Sequence, residues 1–373
     1  MAGKPASAKV LRTLRSRRLH YFMFCHDLNL TDDWTLASKS QERANYQLAL
    51  YATHLATGST LYNRSIKAAT INMYLTGIAK FLGRFRDIDP HFVSSADTQL
   101  APVIAKILAE QRRWESVPNR REPFTLPMYQ ALAAAAAQAP DPCGLTAAMA
   151  NWALCNLYAG CRGVEWAQPS TACAPLSSYY RNRFNHAYAF TLADVKCSTD
   201  AGATVTLADA VANPASVGKL HLRFEEQKNG DNGEWKLFVR NHSNPPLCFV
   251  TAFLQILTRY SNLIGLTRTD FPLSIYRRDH CPDSVIFNIT TADVERSLRA
   301  IASALFDLDP VRHKKELQLW SAHSFRVGAC ATLYSNGFNE MEIKFPSPLE
   351  EQCIHDIPPQ PRRYLQAPQH CSQ

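Results

Sequence analysis

The sequence predicts a mainly α-helical fold with a small β-sheet or hairpin, an α+β chain in two domains. Three observations carry this expectation. Apolar residues recur at helical spacing through residues 19–112, a basic stretch with prolines interrupts the chain at 113–125, and one later segment alternates with a period of two. The length of 373 residues is enough for two separate cores.

In order along the chain, the start from Lys4 to Arg18 carries Lys4, Lys9, Arg12, Arg15, Arg17 and Arg18 with no acid among them. It reads as a basic disordered tail, 1–18. Nucleic-acid contact or nuclear import, a plain solvated tail, and an organelle transit peptide all fit that composition. The helical domain, 19–112, follows. Ala44, Leu48, Tyr51 and Leu55 share one helix face, as do Ile71, Leu75, Ile78 and Leu82, and a bundle is the natural way to bury such stripes. Ser38-x-x-Gln41 has the form of a capping box, and Gly58-Ser59 marks a turn.

Arg112, Arg113, Arg120 and Arg121, with Pro118 and Pro123, make a polar connector, and the domain boundary is placed at 113–125. Thr125 has the place of a helix cap, with Pro127 in the first turn of a helix at 126–138. A second helix, 144–159, ends at Gly160. From Lys219 to Arg240 the period changes. His221, Arg223 and Glu225 alternate with Leu220, Leu222 and Phe224, and after Asn229-Gly-Asp-Asn-Gly233 come Trp235, Leu237 and Val239. That pattern is a β-hairpin with a glycine-rich loop. Helices are expected again at 246–262, 291–306 and 323–335, the last closed by Asn336-Gly337.

Composition narrows the function classes. The longest apolar run, Ala131 to Ala137, is too short to cross a bilayer, so no membrane span is expected. The eleven cysteines include no C-x-x-C pair, which argues against a zinc site and for a reduced compartment. The net charge of +8 suits an acidic partner.

The chemistry-bearing residues are Arg162, just after a helix-ending glycine in Y-A-G-C-R-G-V-E; Lys228, in the hairpin segment E-E-Q-K-N-G; and His323 with Arg326, three apart on one helix face in H-S-F-R-V-G-A. Taken singly, each has a plain structural explanation: a surface salt bridge, a polar turn residue, a solvated helix face. Taken in this order and context, the set resembles the tyrosine recombinases, the phage-integrase-like enzymes. Within them it is most similar to the Crypton-like and retrotransposon branch carried by eukaryotic mobile elements. The resemblance covers the helical first domain, similar to the family's core-binding domain, and most of a catalytic domain at 126–345. Glu165 matches an acidic position the family often has.

The resemblance implies DNA integration or recombination through a 3′-phosphotyrosyl intermediate, on double-stranded DNA, in the nucleus. It also implies a homo-oligomer, a tetramer on DNA in active relatives. Arg162 and Arg326 would clamp the non-bridging oxygens of the phosphodiester. Lys228 would protonate the leaving oxygen, and His323 would assist proton transfer. The covalent link conserves the bond energy, so no metal or nucleotide cofactor is implied.

The end of the chain departs from the family. In the mobile-element branch the segment after the H-x-x-R helix resembles L-R-W-K-S-x-x-F-M-x-Y-L-R. Here the match runs through Ile343-Lys344-Phe345 and stops at Pro346. The positions where Trp and Tyr are expected hold Leu349 and Ile357. Tyr364 stands at an acceptable spacing from His355 and is the candidate nucleophile, but Pro358, Pro359 and Pro361 lie where the family has a helix. Read one base later, degenerate codons from Pro346 onward permit Trp at 349 and Tyr at 357, so 346–373 reads as a divergent or frame-shifted terminus, an aberrant disordered tail. Three functions follow: a recombinase, a non-catalytic DNA-binding protein derived from one, or an unrelated helical interaction protein.

Overall fold

The computed structural model describes residues 8–30, 33–58, 66–94, 99–115, 120–169, 174–176, 189–224, 233–278, 281, 285–335 and 337–338. They form α-helices and two small antiparallel sheets, a mainly α, α+β architecture. The chain divides into two compact units, Met1–Pro118 and Asn119–Gln373, and each has a core of its own.

The first unit holds α1 (Ala8–Asp27), α2 (Gln41–Ala56), α3 (Ala68–Leu82) and α4 (Pro102–Trp114). The two stripes read from the sequence form its centre: Ala44, Leu48, Tyr51 and Leu55 from α2, and Ile71, Leu75, Ile78 and Leu82 from α3, are all fully buried. Each buried Leu or Ile contributes roughly 1.5–3 kcal/mol of transfer free energy. From α1, Tyr21 sets its ring edge-on to Tyr51 at 5.2 Å, and Phe24 lies 5.0 Å from the same ring.

Two expectations are corrected here. The segment 1–18 is not disordered throughout, because α1 begins at Ala8 and takes in Lys9 to Arg18. The helix continues because Arg17 and Arg18 have ring faces to rest on: Arg17 lies 5.7 Å from the Tyr74 centroid and Arg18 4.5 Å from that of Phe81. The cap of α2 is Ser40, whose hydroxyl accepts from Arg43 N at 3.4 Å. Ser38 is instead drawn to Asp33, giving its N–H at 2.8 Å and its hydroxyl at 2.5 Å to the carboxylate. Gly58 does turn the chain, with φ of 83°.

The connector also differs. Helix α4 runs through Trp114, so Arg112 and Arg113 occupy its last turn, where positive charge suits the exposed carbonyls. Beyond the division, 120–125 is not a free linker. Glu122 N donates to Leu319 O at 3.2 Å and Phe124 N to Ser324 O at 2.9 Å, so the strip is stitched along the approach to the last helix.

In the second unit come α5 (Leu126–Gln138), α6 (Leu145–Ala159), α7 (Gly163–Trp166), α8 (Leu207–Ala212), α9 (Phe249–Ile264), α10 (Thr291–Phe306), α11 (Lys314–Leu317) and α12 (His323–Ser335). Pro127 sits in the first turn of α5, and Thr125 holds the cap position without a side-chain hydrogen bond. Helix α6 is apolar on every side and is correspondingly central. Between Ala148 and Leu157 only Asn151 escapes burial. Helices α5, α9 and α12 all pack on it.

One sheet has the order β3-β2-β4-β5, from β2 (Val195–Ser198), β3 (Thr204–Val205), β4 (Lys219–Phe224) and β5 (Glu234–Val239). The hairpin read from the sequence is its β4–β5 pair, in register from Lys219 opposite Val239 to Phe224 opposite Glu234. Leu220, Leu222 and Phe224 enter the core, whereas Lys219, His221 and Arg223 stay half-exposed. The other sheet, β1-β7-β6, joins β1 (Ala174–Pro175), β6 (Ile275–Arg277) and β7 (Ile286–Asn288). Such two- and three-residue strands have too little pattern to be read from sequence.

Candidate phosphate-binding site

The site begins at the end of α6. Gly160 adopts φ of +56°, a left-handed conformation that suits a residue without Cβ, and its N–H closes the helix on Asn156 O at 2.9 Å. The chain then reverses through buried Cys161 into Arg162 and the single turn of α7. Arg162 N donates to Glu165 Oε2 at 2.6 Å, and Glu165 N returns a bond to Arg162 O at 2.9 Å. The Arg162 guanidinium also reaches Glu165, Nη1 to Oε1 at 3.6 Å. The carboxylate is buried while the guanidinium is part-exposed, with relative side-chain accessibilities of 8% and 28%.

Helix α12 is brought to the same place by packing. Its first turn is organised by Ser324, whose hydroxyl accepts from Ser321 N at 3.0 Å. Phe325 is fully buried between Phe124, 4.5 Å between centroids, and Trp166, 5.4 Å. Ala322 comes so near α7 that a Cβ added to Gly163 would stand 3.3 Å from Ala322 Cβ. At Gly328 the approach is closer still, since an added Cβ would lie 2.0 Å from Phe124 O. These contacts leave His323 exposed and Arg326 half-exposed.

Electrostatics show the convergence. The Glu165 carboxyl is raised above its ordinary value by burial, and the Arg162 backbone N–H and the charges of Arg162 and Arg326 oppose that rise. Burial likewise pushes the Cys161 thiol well up, with Arg326 again opposing. His323 is lowered from 6.5 by desolvation, then by the positive charges of Arg326 and Arg121, so its imidazole is neutral at pH 7. Among the described residues Arg326 has no hydrogen-bond or ion-pair partner, which leaves its planar fork of donors free to meet an anion.

The structure thus brings together Arg162, His323 and Arg326, with Glu165 buried beside them. Lys228 falls in 225–232, between the ends of β4 and β5, and Tyr364 falls in the terminal segment; both lie outside the described residues. Arg121 was read from the sequence only as part of the connector. Its Nη1 donates to Gln318 O at 2.5 Å, and its charge acts on His323. Nothing in the local pattern separates it from Arg120; only the pairing of 120–125 with the approach to α12 does.

The arrangement can bind an oxyanion. Two guanidiniums from distant parts of the chain present charge on one side, and the buried carboxylate orients one of them. What fold and geometry define is an α+β protein with an arginine pair gathered at a buried glutamate. No protein-family model and no curated protein matches the chain.

Proposed function

We propose that this protein is a recombinase-like DNA-binding protein, in which Arg162 and Arg326 hold a backbone phosphate and the sequence as written makes no covalent link to it. The observation that carries the reading is the contact of Arg162 with buried Glu165, together with a position of Arg326 from which its charge acts on the same carboxyl. Arg162 is kept in place by Glu165, and Arg326 has donors to spare. A phosphodiester between them receives charge-assisted hydrogen bonds from both. His323, neutral at pH 7, can accept a proton or a hydrogen bond at the edge of that site. Lys228 lies in the sequence between β4 and β5, and by the family resemblance it would protonate the leaving oxygen.

The test is duplex-DNA binding by fluorescence anisotropy over a range of salt, paired with covalent trapping on nicked DNA. Binding is expected to weaken steeply with salt, since Lys and Arg displace condensed counterions. Arg326→Ala is expected to weaken it by about tenfold to a hundredfold, the equivalent of roughly 1.5–3 kcal/mol for a hydrogen bond to a charged group. Salt-independent absence of binding removes the proposal and favours a helical interaction protein. Trapped protein that disappears with Tyr364→Phe makes the chain an active recombinase instead. The coding DNA across codons 346–360 decides the ancestry of the terminus, because codons that forbid Trp and Tyr in the shifted frame end the frameshift reading.

A further inference from the structure

We propose that the groove between α5, α6 and α9 binds a small carboxylate carrying a short apolar chain, with Arg259 as its anchor. This site is separate from the Arg162–Arg326 site and does not depend on how that site is read. The groove has a volume of about 730 Å³, within the range of small-molecule sites, roughly 300–1,000 Å³. Its walls follow from the sequence of α5. The alanine run places Ala133, Ala136 and Ala137 along one side, and these small side chains leave room against α6 and α9. Leu154 adds apolar surface on the α6 side, and Pro245 and Pro246 bound the groove where the chain enters α9.

Arg259 is the only charged residue among the described residues lining this groove, and it is 4% exposed. Its Nε donates to Pro142 O at 3.3 Å and its Nη2 to the side-chain oxygen of Asn151. The remaining nitrogen, Nη1, is buried without a hydrogen-bond partner. The nearby acid is Asp141, but its carboxylate is already committed. It takes Arg277 Nε at 2.9 Å and Nη2 at 3.1 Å, and Cys143 N at 2.8 Å. Arg259 therefore lacks a contact ion pair among the described residues.

A buried cation without a contact counterion is costly, and a ligand anion that reaches it recovers part of that cost. Burial draws the Arg259 pKa down to about 10, which still leaves it charged at pH 7. A carboxylate matches a single guanidinium in charge and in planar geometry. Inorganic phosphate or sulfate, with more charge and tetrahedral shape, would need a second cation that the described lining does not offer. The amide groups of Gln255 and Asn262 stand on the same groove and supply polar neighbours for the head group. The alanine and leucine surface suits a chain of several methylenes.

The experiment is titration calorimetry on the full chain with octanoate, octanol and sulfate as probes. Octanoate is expected to bind, octanol to bind at least about tenfold more weakly, and sulfate neither to bind nor to displace octanoate. Arg259→Met should remove the preference for octanoate over octanol. Because Arg259 is buried and this variant can fail to fold, Ala136→Leu serves as the second variant: it fills the groove, leaves the guanidinium in place, and should weaken octanoate by about tenfold or more. The proposal is overturned if octanoate does not bind, if octanol binds as well, if sulfate displaces it, or if folded Ala136→Leu binds octanoate unchanged.

Discussion

The two units use charge in different ways. In the first, the contacts between acidic and basic side chains among the described residues are local, joining residues at most three apart. Asp33 collects donors from residues only a few positions on, and Arg17 and Arg18 rest on aromatic rings of α3. In the second, buried or half-buried acids meet arginines, and several of these pairs join distant segments. Asp194 takes Arg223 at 2.9 Å, Asp141 takes Arg277 at 2.9 Å, and Glu165 holds Arg162 while lying under the charge of Arg326. A unit held by local helix stripes and turns can be read from sequence spacing. A unit whose charges are matched across the fold gathers a binding site as a by-product of its packing.

The largest effect that sharpens this contrast is expected at Phe325, whose ring joins α12 to Phe124 and Trp166. Phe325→Ala should destabilise the second unit by roughly 3–5 kcal/mol, measured by urea unfolding monitored through tryptophan fluorescence. It should also weaken DNA binding, because His323 and Arg326 lose their support. Unchanged stability would mean that α12 is not positioned by this contact.

The next effect is at Glu165. Burial comes first among the causes and raises its folded-state pKa above the ordinary 4.5. The folded state therefore holds the proton more tightly than the unfolded chain. Its contribution to stability is complete below the unfolded pKa and is lost as pH rises through the folded one. Glu165→Gln should flatten that decline in melts taken from acid to neutral pH, and should loosen Arg162 at the same time. His323 has the opposite sign: its lowered pKa makes stability fall as pH drops below 6.5, and His323→Gln should abolish that fall.

In the first unit, Asp33→Ala should cost about 1–2 kcal/mol through the hydrogen bonds that organise the approach to α2. Burial alone would raise the Asp33 carboxyl, but hydrogen bonds from Ser38, Thr35 and Ala37 bring it down to about 2. The stability it supplies is thus present above the unfolded value and lost on acidification towards pH 2, so the mutant should lose less on acidification. The smallest effect is expected at Trp235, which carries Lys196 4.2 Å from its ring centroid on the open face of the hairpin sheet. Trp235→Leu should cost roughly 0.5–1 kcal/mol. A larger loss would show that the open face of this sheet matters more to stability than the core face of β4.

Residue spacing alone was enough for the stripes of α2 and α3, for α5, α6, α10 and α12 nearly to the residue, and for the β4–β5 hairpin, because each pattern spans several turns or alternations. Order and sequence context, rather than spacing, marked Arg162, His323 and Arg326 as residues with chemistry to explain. Spacing did not reveal that α1 starts at Ala8, since the rings that support Arg17 and Arg18 lie on another helix. It misplaced the α2 cap by two residues, because Ser38 and Ser40 look alike until Asp33 claims one of them. Nor did it reveal the groove at Arg259, which reads as the one charged residue on a largely apolar helix. Sequence by itself determined the helices and the hairpin, whose periodic burial is written into neighbouring residues. The tertiary structure alone decided which arginine meets which acid, and which is left without one, because those energies depend on distance and burial between segments that the chain keeps far apart.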